Sequence, residues 1–423
     1  MTIRITTLPN QLRIVTDSAQ DIESLAIGVW VGVGTRHEDL SQNGIAHMLE
    51  HMVFKGTPTR TAKQISDMIE DAGGHFNAYT GRELTAYYVR ILDDYLDLSL
   101  EVLADILQRP SFPDDEIVRE RAVISQEIKM YEDTPEDLIF DHALQHAFPD
   151  QSVGASGLGS VEIINRITGD DLRTYIGTHY IPRNIVISGA GNIDHDEFVQ
   201  KICSYFDVFC GQNSPDHVPG FVPARYAPSP SLRKKDIEQA HVIVAVKGLS
   251  RLDPRYQAQR LLSGILGGGT SSRLWQEVRE KRGLVYSIHT MAESFSDCGL
   301  FGFYAGTGPE ELKELIPLAM EELRKVQTEI TEQELDRAKM QITSGLRMSR
   351  EKMLTRADQQ GRYILQHGKI FEIAKTVEDI RKVSAQDVMN LARDLFAGDL
   401  LVAGLGPIDH LIPPEEMTRI LRG

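Results

Sequence analysis

Cysteine is nearly absent from this chain: its 423 residues include three, Cys203, Cys210 and Cys298, with no C-x-x-C spacing. So sparse and odd a set excludes a disulfide framework and a cysteine zinc knuckle, and it fits a reducing cytoplasm. Long apolar runs are also missing. No stretch reaches the eighteen or so apolar residues of a membrane-spanning helix, and Met1-Thr2-Ile3-Arg4-Ile5-Thr6-Thr7 lacks the apolar segment and small-residue cleavage site of a secretion signal. Positive charge is in short supply, with 45 Lys and Arg against 61 Asp and Glu, a formal net charge of −16. That balance repels nucleic acid and anionic membranes and draws in basic peptides. Gly267-Gly268-Gly269-Thr270-Ser271-Ser272 is glycine-rich, but no Gly-Lys-Ser/Thr follows it, which leaves a helix end and turn instead of a phosphate loop.

What is present is enough for two or three domains with substantial cores. Ile3-Arg4-Ile5 and Leu12 to Val15 read as strands, and Leu25 to Val33 as a buried strand. Ala62 to Ala72 is helical and stops at Gly73-Gly74. Phe76 to Thr80 and Leu84 to Arg90 pair as a hairpin around a Gly-Arg turn, and Leu92 to Leu107 and Asp114 to Met130 are amphipathic helices. Between Phe209 and Lys235, Pro215, Pro219, Pro223, Pro228 and Pro230 erase any periodicity, so residues 209–235 are expected to link a domain 1–208 to a domain 236–423. Beyond the linker the order restarts, with a strand His241 to Lys247 and helices over Arg260 to Gly269, Ser271 to Lys281, Glu310 to Val326 and from Glu332 onward.

The halves are a duplication. Phe112-Pro113-Asp114-Asp115-Glu116-Ile117-Val118-Arg119 aligns without a gap to Ile330-Thr331-Glu332-Gln333-Glu334-Leu335-Asp336-Arg337, and the register runs on to Met130 against Met348, an offset of 218 residues. At that offset Glu120 and Glu127 meet Ala338 and Gly345. Carried back less firmly, His47, Glu50 and His51 fall opposite Ile265, Gly268 and Gly269, so the second copy has lost whatever chemistry the first carries.

That chemistry centres on His47-Met48-Leu49-Glu50-His51. At about 100° per residue the two imidazoles sit one turn apart on one helix face with Glu50 beside them. Neutral imidazoles suit zinc, and a carboxylate beside the metal can take a proton from water during attack on a carbonyl. The H-x-x-E-H order inverts the commoner H-E-x-x-H. Two imidazoles and a water leave zinc one ligand short of its usual four. The helix after Phe112 offers Glu116, Glu120 and Glu127, the last two on one face two turns apart. Both are replaced in the second copy. We take Glu127 as the third ligand and Glu120 as a carboxylate that orients His47 or His51 through its free ring nitrogen.

Three segments carry a family resemblance: Gly44-Ile45-Ala46-His47-Met48-Leu49-Glu50-His51-Met52-Val53-Phe54-Lys55-Gly56-Thr57; Asn77-Ala78-Tyr79-Thr80 with Glu83-Leu84-Thr85-Ala86-Tyr87-Tyr88; and Glu120 followed by Val123-Ile124-Ser125-Gln126-Glu127-Ile128. Over essentially its whole length the chain resembles the M16 metallopeptidases, the pitrilysin or inverzincin family, and among them bacterial proteins similar to the catalytic subunit of mitochondrial processing peptidase. The resemblance implies an α+β fold of two homologous domains, each a mainly antiparallel sheet packed with helices, facing each other as a clamshell. It implies one Zn2+ per chain, held by His47, His51 and Glu127, with Glu50 as base and Glu120 assisting. Leu274 to Tyr286 matches a second-domain segment in which Arg279 and Tyr286 bind substrate and Tyr286 stabilises the oxyanion. Asn77, Ala78 and Tyr79 match an edge strand to which an extended peptide adds. The implied activity is a zinc-dependent endopeptidase acting on unfolded peptides or targeting-type presequences. A homodimer is expected, or the catalytic half of a heterodimer.

Asn10-Gln11-Leu12 departs from the family's Asn-Gly-Leu at an early turn, and Ser152 to Gly159 is a loose version of a proline-containing loop. His142-Ala143-Leu144-Gln145-His146 repeats the histidine spacing, but with Gln145 where a base would stand it reads as a solvated helix. His75 alone on a turn is weak. The rival function is a noncatalytic scaffold or assembly subunit; such members lose ligand residues, and here the ligands and the base are all present.

Overall fold

The structure, a computed structural model, describes residues 2–213 and 220–423. The alternating and β-branched stretches form two sheets. In the first, β1 (Thr2–Thr7), β2 (Arg13–Ser18), β3 (Ser24–Val31), β4 (His75–Thr80), β5 (Thr85–Leu92) and β6 (Ile185–Gly191) lie in the order β1-β2-β6-β3-β5-β4. In the second, β7 (Ser231–Arg233), β8 (Ala240–Lys247), β9 (Ser287–Ser294), β10 (Gly299–Thr307) and β11 (Leu401–Leu405) are ordered β7-β11-β8-β10-β9. β2 with β6 and β7 with β11 are parallel; the other pairs are antiparallel. Apart from β1, the two sheets repeat one strand order with one set of directions, as a duplicated unit should.

The helices that matter for the first sheet are α1 (Ile45–Met52), α2 (Ala62–Glu70), α3 (Leu96–Gln108) and α4 (Asp114–Glu132), followed in sequence by α5 (Pro135–Ala147). Helices Glu332–Met348 and Met353–His367 begin 218 residues after α4 and α5, which carries the repeat beyond the segment where sequence alone shows it.

The chain divides into two compact units, and neither is continuous. The first comprises Met1–Lys129, Ala155–Val222 and Met348–Phe371; the second comprises Met130–Gly154, Pro223–Arg347 and Glu372–Gly423. A single cut at the linker therefore does not generate them: α5 belongs to the second unit and its repeat counterpart, Met353–His367, to the first. Sheet burial gives the reason. Leu25 to Val31 in β3 is buried at every position, so both faces of that sheet need cover. One face packs on α1 and α3 through Leu25, Ile27, Val29, Met48, Leu49, Leu100 and Leu103. The other presents Ala26, Trp30, Ala86 and Ala190, and Met353 and Ala357 close over it. Gly361 allows the close approach, since a Cβ there would lie 2.4 Å from the Trp30 ring. In the second unit, Ile139, Ala143, Leu144 and Ala147 of α5 cover Ile243, Ala245, Leu401 and Ala403 in the same way.

Polar contacts fix helix Met353–His367 in place. The side chains of Asp17 of β2 and Arg356 are both 0% exposed and pair in a bidentate fork, with Arg356 Nε donating to Asp17 Oδ2 at 2.9 Å, while Arg350 adds a contact at 3.1 Å. Asp358 Oδ1 accepts from Trp30 Nε1 at 2.9 Å and from the Tyr79 hydroxyl at 2.6 Å.

Three details differ from expectation. Within 209–235, α-helix Asp207–Gly211 runs into the start of the segment and Ser231–Arg233 forms β7; a three-residue edge strand needs only the ladder on β11, not an apolar pattern. Pro215 and Pro219 lie outside the described residues. Helix α5 is not solvated: His142 is buried, because the apolar face next to it seals the second sheet. The segment expected as helix Ser271 to Lys281 contains a π-helical stretch, Trp275–Glu280. At the early turn where the family pattern has glycine, Gln11 sits at φ +74°, the left-handed region that costs a side-chain-bearing residue about 1 kcal/mol or more.

Candidate metal centre

Helix α1 turns Ile45, Ala46, Met48, Leu49 and Met52 into the core, which leaves His47, Glu50 and His51 on its other side, each only part-buried. Helix α4 buries Ile117, Glu120, Ile124 and Ile128. Glu127 lies just off that buried stripe, with 39% of its side chain exposed. With their apolar faces buried in one core, the two helices bring the part-buried His47 and His51 of α1 beside Glu120 and Glu127 of α4.

Glu127 Oε2 lies 3.9 Å from His47 Nε2 and 3.7 Å from His51 Nε2. One ligand atom from each of the three residues falls within 4.8 Å of the others, and no second such group exists among the described residues. Tetrahedral zinc with bonds of about 2.0–2.2 Å needs ligand atoms about 3.4 Å apart, so the set fits a zinc ion after small side-chain adjustments. The imidazole rings, 4.7 Å apart at 66°, leave both Nε2 atoms on the Glu127 side.

Glu120 pairs with one histidine only. Its Oε2 lies 2.9 Å from His51 Nδ1, while the buried Nδ1 of His47 has no partner among the described residues. The other oxygen, Oε1, meets Lys55 Nζ at 2.6 Å. Burial opposes the charge on Glu120, but His51 and Lys55 overcome it and hold the carboxyl below its ordinary value. Burial and the neighbouring His51 lower His47 to about 4, so it is neutral and ready to ligate at neutral pH. For His51 burial acts the same way, yet Glu120, Glu127 and Glu50 outweigh it and raise the pKa.

Glu50 is the base candidate. Burial raises its pKa, Glu127 adds to the rise, and Thr80 and His51 partly offset it. Its Oε2 is buried without a hydrogen-bond partner among the described residues. A carboxylate kept basic, with one oxygen uncommitted beside two imidazoles, is suited to accept a proton from water.

The three nominated strand residues lie on β4, which pairs with β5 and has no strand on its other side among the described residues. Asn77 is exposed and Ala78 buried. Tyr79 spends its hydroxyl on Asp358, so what β4 can offer a ligand there is backbone.

Residues 13–160 match "Insulinase (Peptidase family M16)" and residues 166–342 match "Peptidase M16 inactive domain". A Rickettsia felis protein described as an uncharacterized zinc protease is 38% identical over 408 residues, 96% of this chain and 98% of its own. The chain belongs to peptidase family M16. Another M16 relative, the Bacillus subtilis uncharacterized zinc protease YmxG, is 36% identical across 96% of this chain and 98% of its own length. In fold, this M16 chain is similar to the crystal structure of a protease from Helicobacter pylori, with a TM-score of 0.88, 24% identity, and coverage of 96% of this chain and 99% of that one.

The second half of this M16 protein keeps the helix and not the candidate ligands. On Glu332–Met348, Ala338 and Gly345 stand where α4 carries Glu120 and Glu127, and the Cβ position of Gly345 is open space. Arg279 and Tyr286 belong to the second compact unit, whereas the metal-centre residues belong to the first. The structure brings those two together with each other: the Arg279 guanidinium stacks on Trp275 at 4.0 Å and lies 6.0 Å from the Tyr286 ring, and Tyr286 is 72% exposed. Sequence reasoning missed Lys55. Its place four residues after His51, one helical turn on, was the available signal.

Proposed function

We propose that this protein is a zinc-dependent endopeptidase with one zinc per chain, held by His47, His51 and Glu127. The observation that carries the proposal is the convergence of those three side chains beside the part-buried carboxylate of Glu50, whose Oε2 has no hydrogen-bond partner among the described residues. Bound zinc would supply Lewis acidity toward a peptide carbonyl and toward water. Glu50 takes a proton from the attacking water and passes it to the departing amine nitrogen. Glu120 fixes the His51 ring through Nδ1 and is itself held by Lys55. Arg279 and Tyr286 act as donors to substrate, Tyr286 toward the oxygen that gains charge during attack.

The free edge of β4 favours an extended substrate bound by backbone hydrogen bonds, hence unfolded peptides over folded proteins. The net charge of −16 favours basic segments, including presequence-like ones. No helix among the described residues is long and apolar enough to cross a membrane.

The test is incubation of the purified protein with an unfolded peptide library, with and without a chelator, read by mass spectrometry. Cleavage should depend on zinc, and Glu50→Gln should keep the metal while losing cleavage. A fully active Glu50→Gln enzyme, or chelator-resistant cleavage, would refute the assignment.

A further inference from the structure

Helix α1 is about two turns long and must hold His47, Glu50 and His51 in fixed phase, yet its N-cap residue is Gly44, which has no side chain to offer. The cap comes from upstream. Buried Glu38 accepts the Gly44 N–H and the Asn43 Nδ2–H on Oε2, both at 2.9 Å, and the Ala46 N–H on Oε1 at 2.8 Å. Ala46 immediately precedes His47. A carboxylate that grips N–H groups two residues apart fixes both the axial position and the rotation of the first turn, and the helix dipole favours its charge.

The surroundings leave this arrangement little freedom. Asn43 Nδ2 also donates to the Ser156 carbonyl at 3.0 Å. Gly44 is at φ +99°, and a Cβ there would lie 2.7 Å from Ile164 Cδ1 and 2.8 Å from the Leu158 carbonyl. Burial pushes the Glu38 carboxyl up to about 7 against the pull of its three donors. An exposed Ser or Asp cap would stabilise the helix without that desolvation.

We propose that Glu38 is a positioning residue of the metal centre, holding α1 in the register at which His47 and His51 converge with Glu127. The inference rests on the metallopeptidase reading, but its test does not need turnover. In the full-length protein, Glu38→Gln places an NH2 group against an N–H donor. Zinc affinity, measured by competition with a chromophoric chelator, should fall about 10- to 100-fold, as when a residue orienting a metal ligand is lost. Amide exchange at Gly44 and Ala46 should accelerate, and any peptide cleavage should lose kcat more than it gains KM. Asp17→Asn, equally buried in the same unit, is the control: it should lower Tm and leave zinc affinity within about twofold.

If Glu38→Gln lowers Tm while zinc affinity stays within about twofold, Glu38 is only a structural cap and the proposal is overturned. If the wild-type protein binds zinc tightly but cleaves nothing, the peptidase reading fails while zinc affinity still decides the role of Glu38. Should Glu38→Gln not fold, Asn43→Ala carries the same test by removing one donor from the carboxylate; zinc affinity should weaken about 3- to 10-fold, and unchanged affinity overturns the proposal.

Discussion

Arg356→Met removes the cation at the heart of the first unit while keeping most of the side chain's apolar stem. The Asp17 side chain is then left 0% exposed with Arg350, at 3.1 Å, as its remaining positive neighbour. Breaking a buried ion pair on one side costs about 3–5 kcal/mol, and the surviving Arg350 contact puts this case at the low end, about 3 kcal/mol. For a unit of this size each kcal/mol moves Tm by about 2–4 °C, so a fall of about 6–12 °C is expected. The two tryptophans supply the assay. Trp30 lies in the first unit and donates to Asp358 on the same helix as Arg356, so in a Trp275→Phe background its fluorescence follows undocking of that helix. Adding Asp17→Asn to Arg356→Met removes the stranded charge and should recover at least about 1.5 kcal/mol. Because Asp358 also holds Tyr79 of β4, Arg356→Met should raise KM for extended peptides before it lowers kcat. A Tm drop under about 2 °C, or a double variant no better than the single one, would refute the view that this pair fastens the helix.

Other perturbations probe separate links. Lys55→Met should let the Glu120 carboxyl rise toward its ordinary value and loosen its hold on His51, weakening zinc about 10-fold in chelator competition; unchanged affinity would remove Lys55 from the centre. His37, part-buried behind Arg36 and Phe221, is lowered from 6.5 to about 4 by burial, with His179 adding to the effect. Its neutral form is the folded form, so its contribution is complete above pH 6.5 and lost as pH falls toward 4, at most about 3 kcal/mol; His37→Asn should flatten urea-derived stability over that window by a comparable amount. Gln11→Gly should relieve the left-handed backbone at the β1–β2 turn and, after the entropy cost of glycine, gain about 0.5–1 kcal/mol in denaturant titration, with a loss of stability counting against the strain.

The α1 side of the site was legible because helical phase is local: once residues 45–52 form a helix, His47, Glu50 and His51 must share a side. The offset of 218 residues likewise announced a duplicated domain whose second copy lacks counterparts of Glu120 and Glu127. Spacing could not tell Glu120 from Glu127, since both lie on one flank of α4. Only the packing of α4 buries Glu120 against His51 and Lys55 and leaves Glu127 half-exposed to face both Nε2 atoms.

What the sequence by itself determined, then, is what local periodicity and self-similarity dictate: the helix that carries His47, Glu50 and His51, the hairpin, and the duplication. Which sheet each long amphipathic helix would cover was decided only in three dimensions. An apolar stripe states that α5 and Met353–His367 must bury one face, and it is equally satisfied by either sheet. The exchange of these two equivalent helices, the buried Asp17–Arg356 pair that secures one of them, and the Glu38 grip on α1 all depend on which surfaces meet, and no local pattern encodes that.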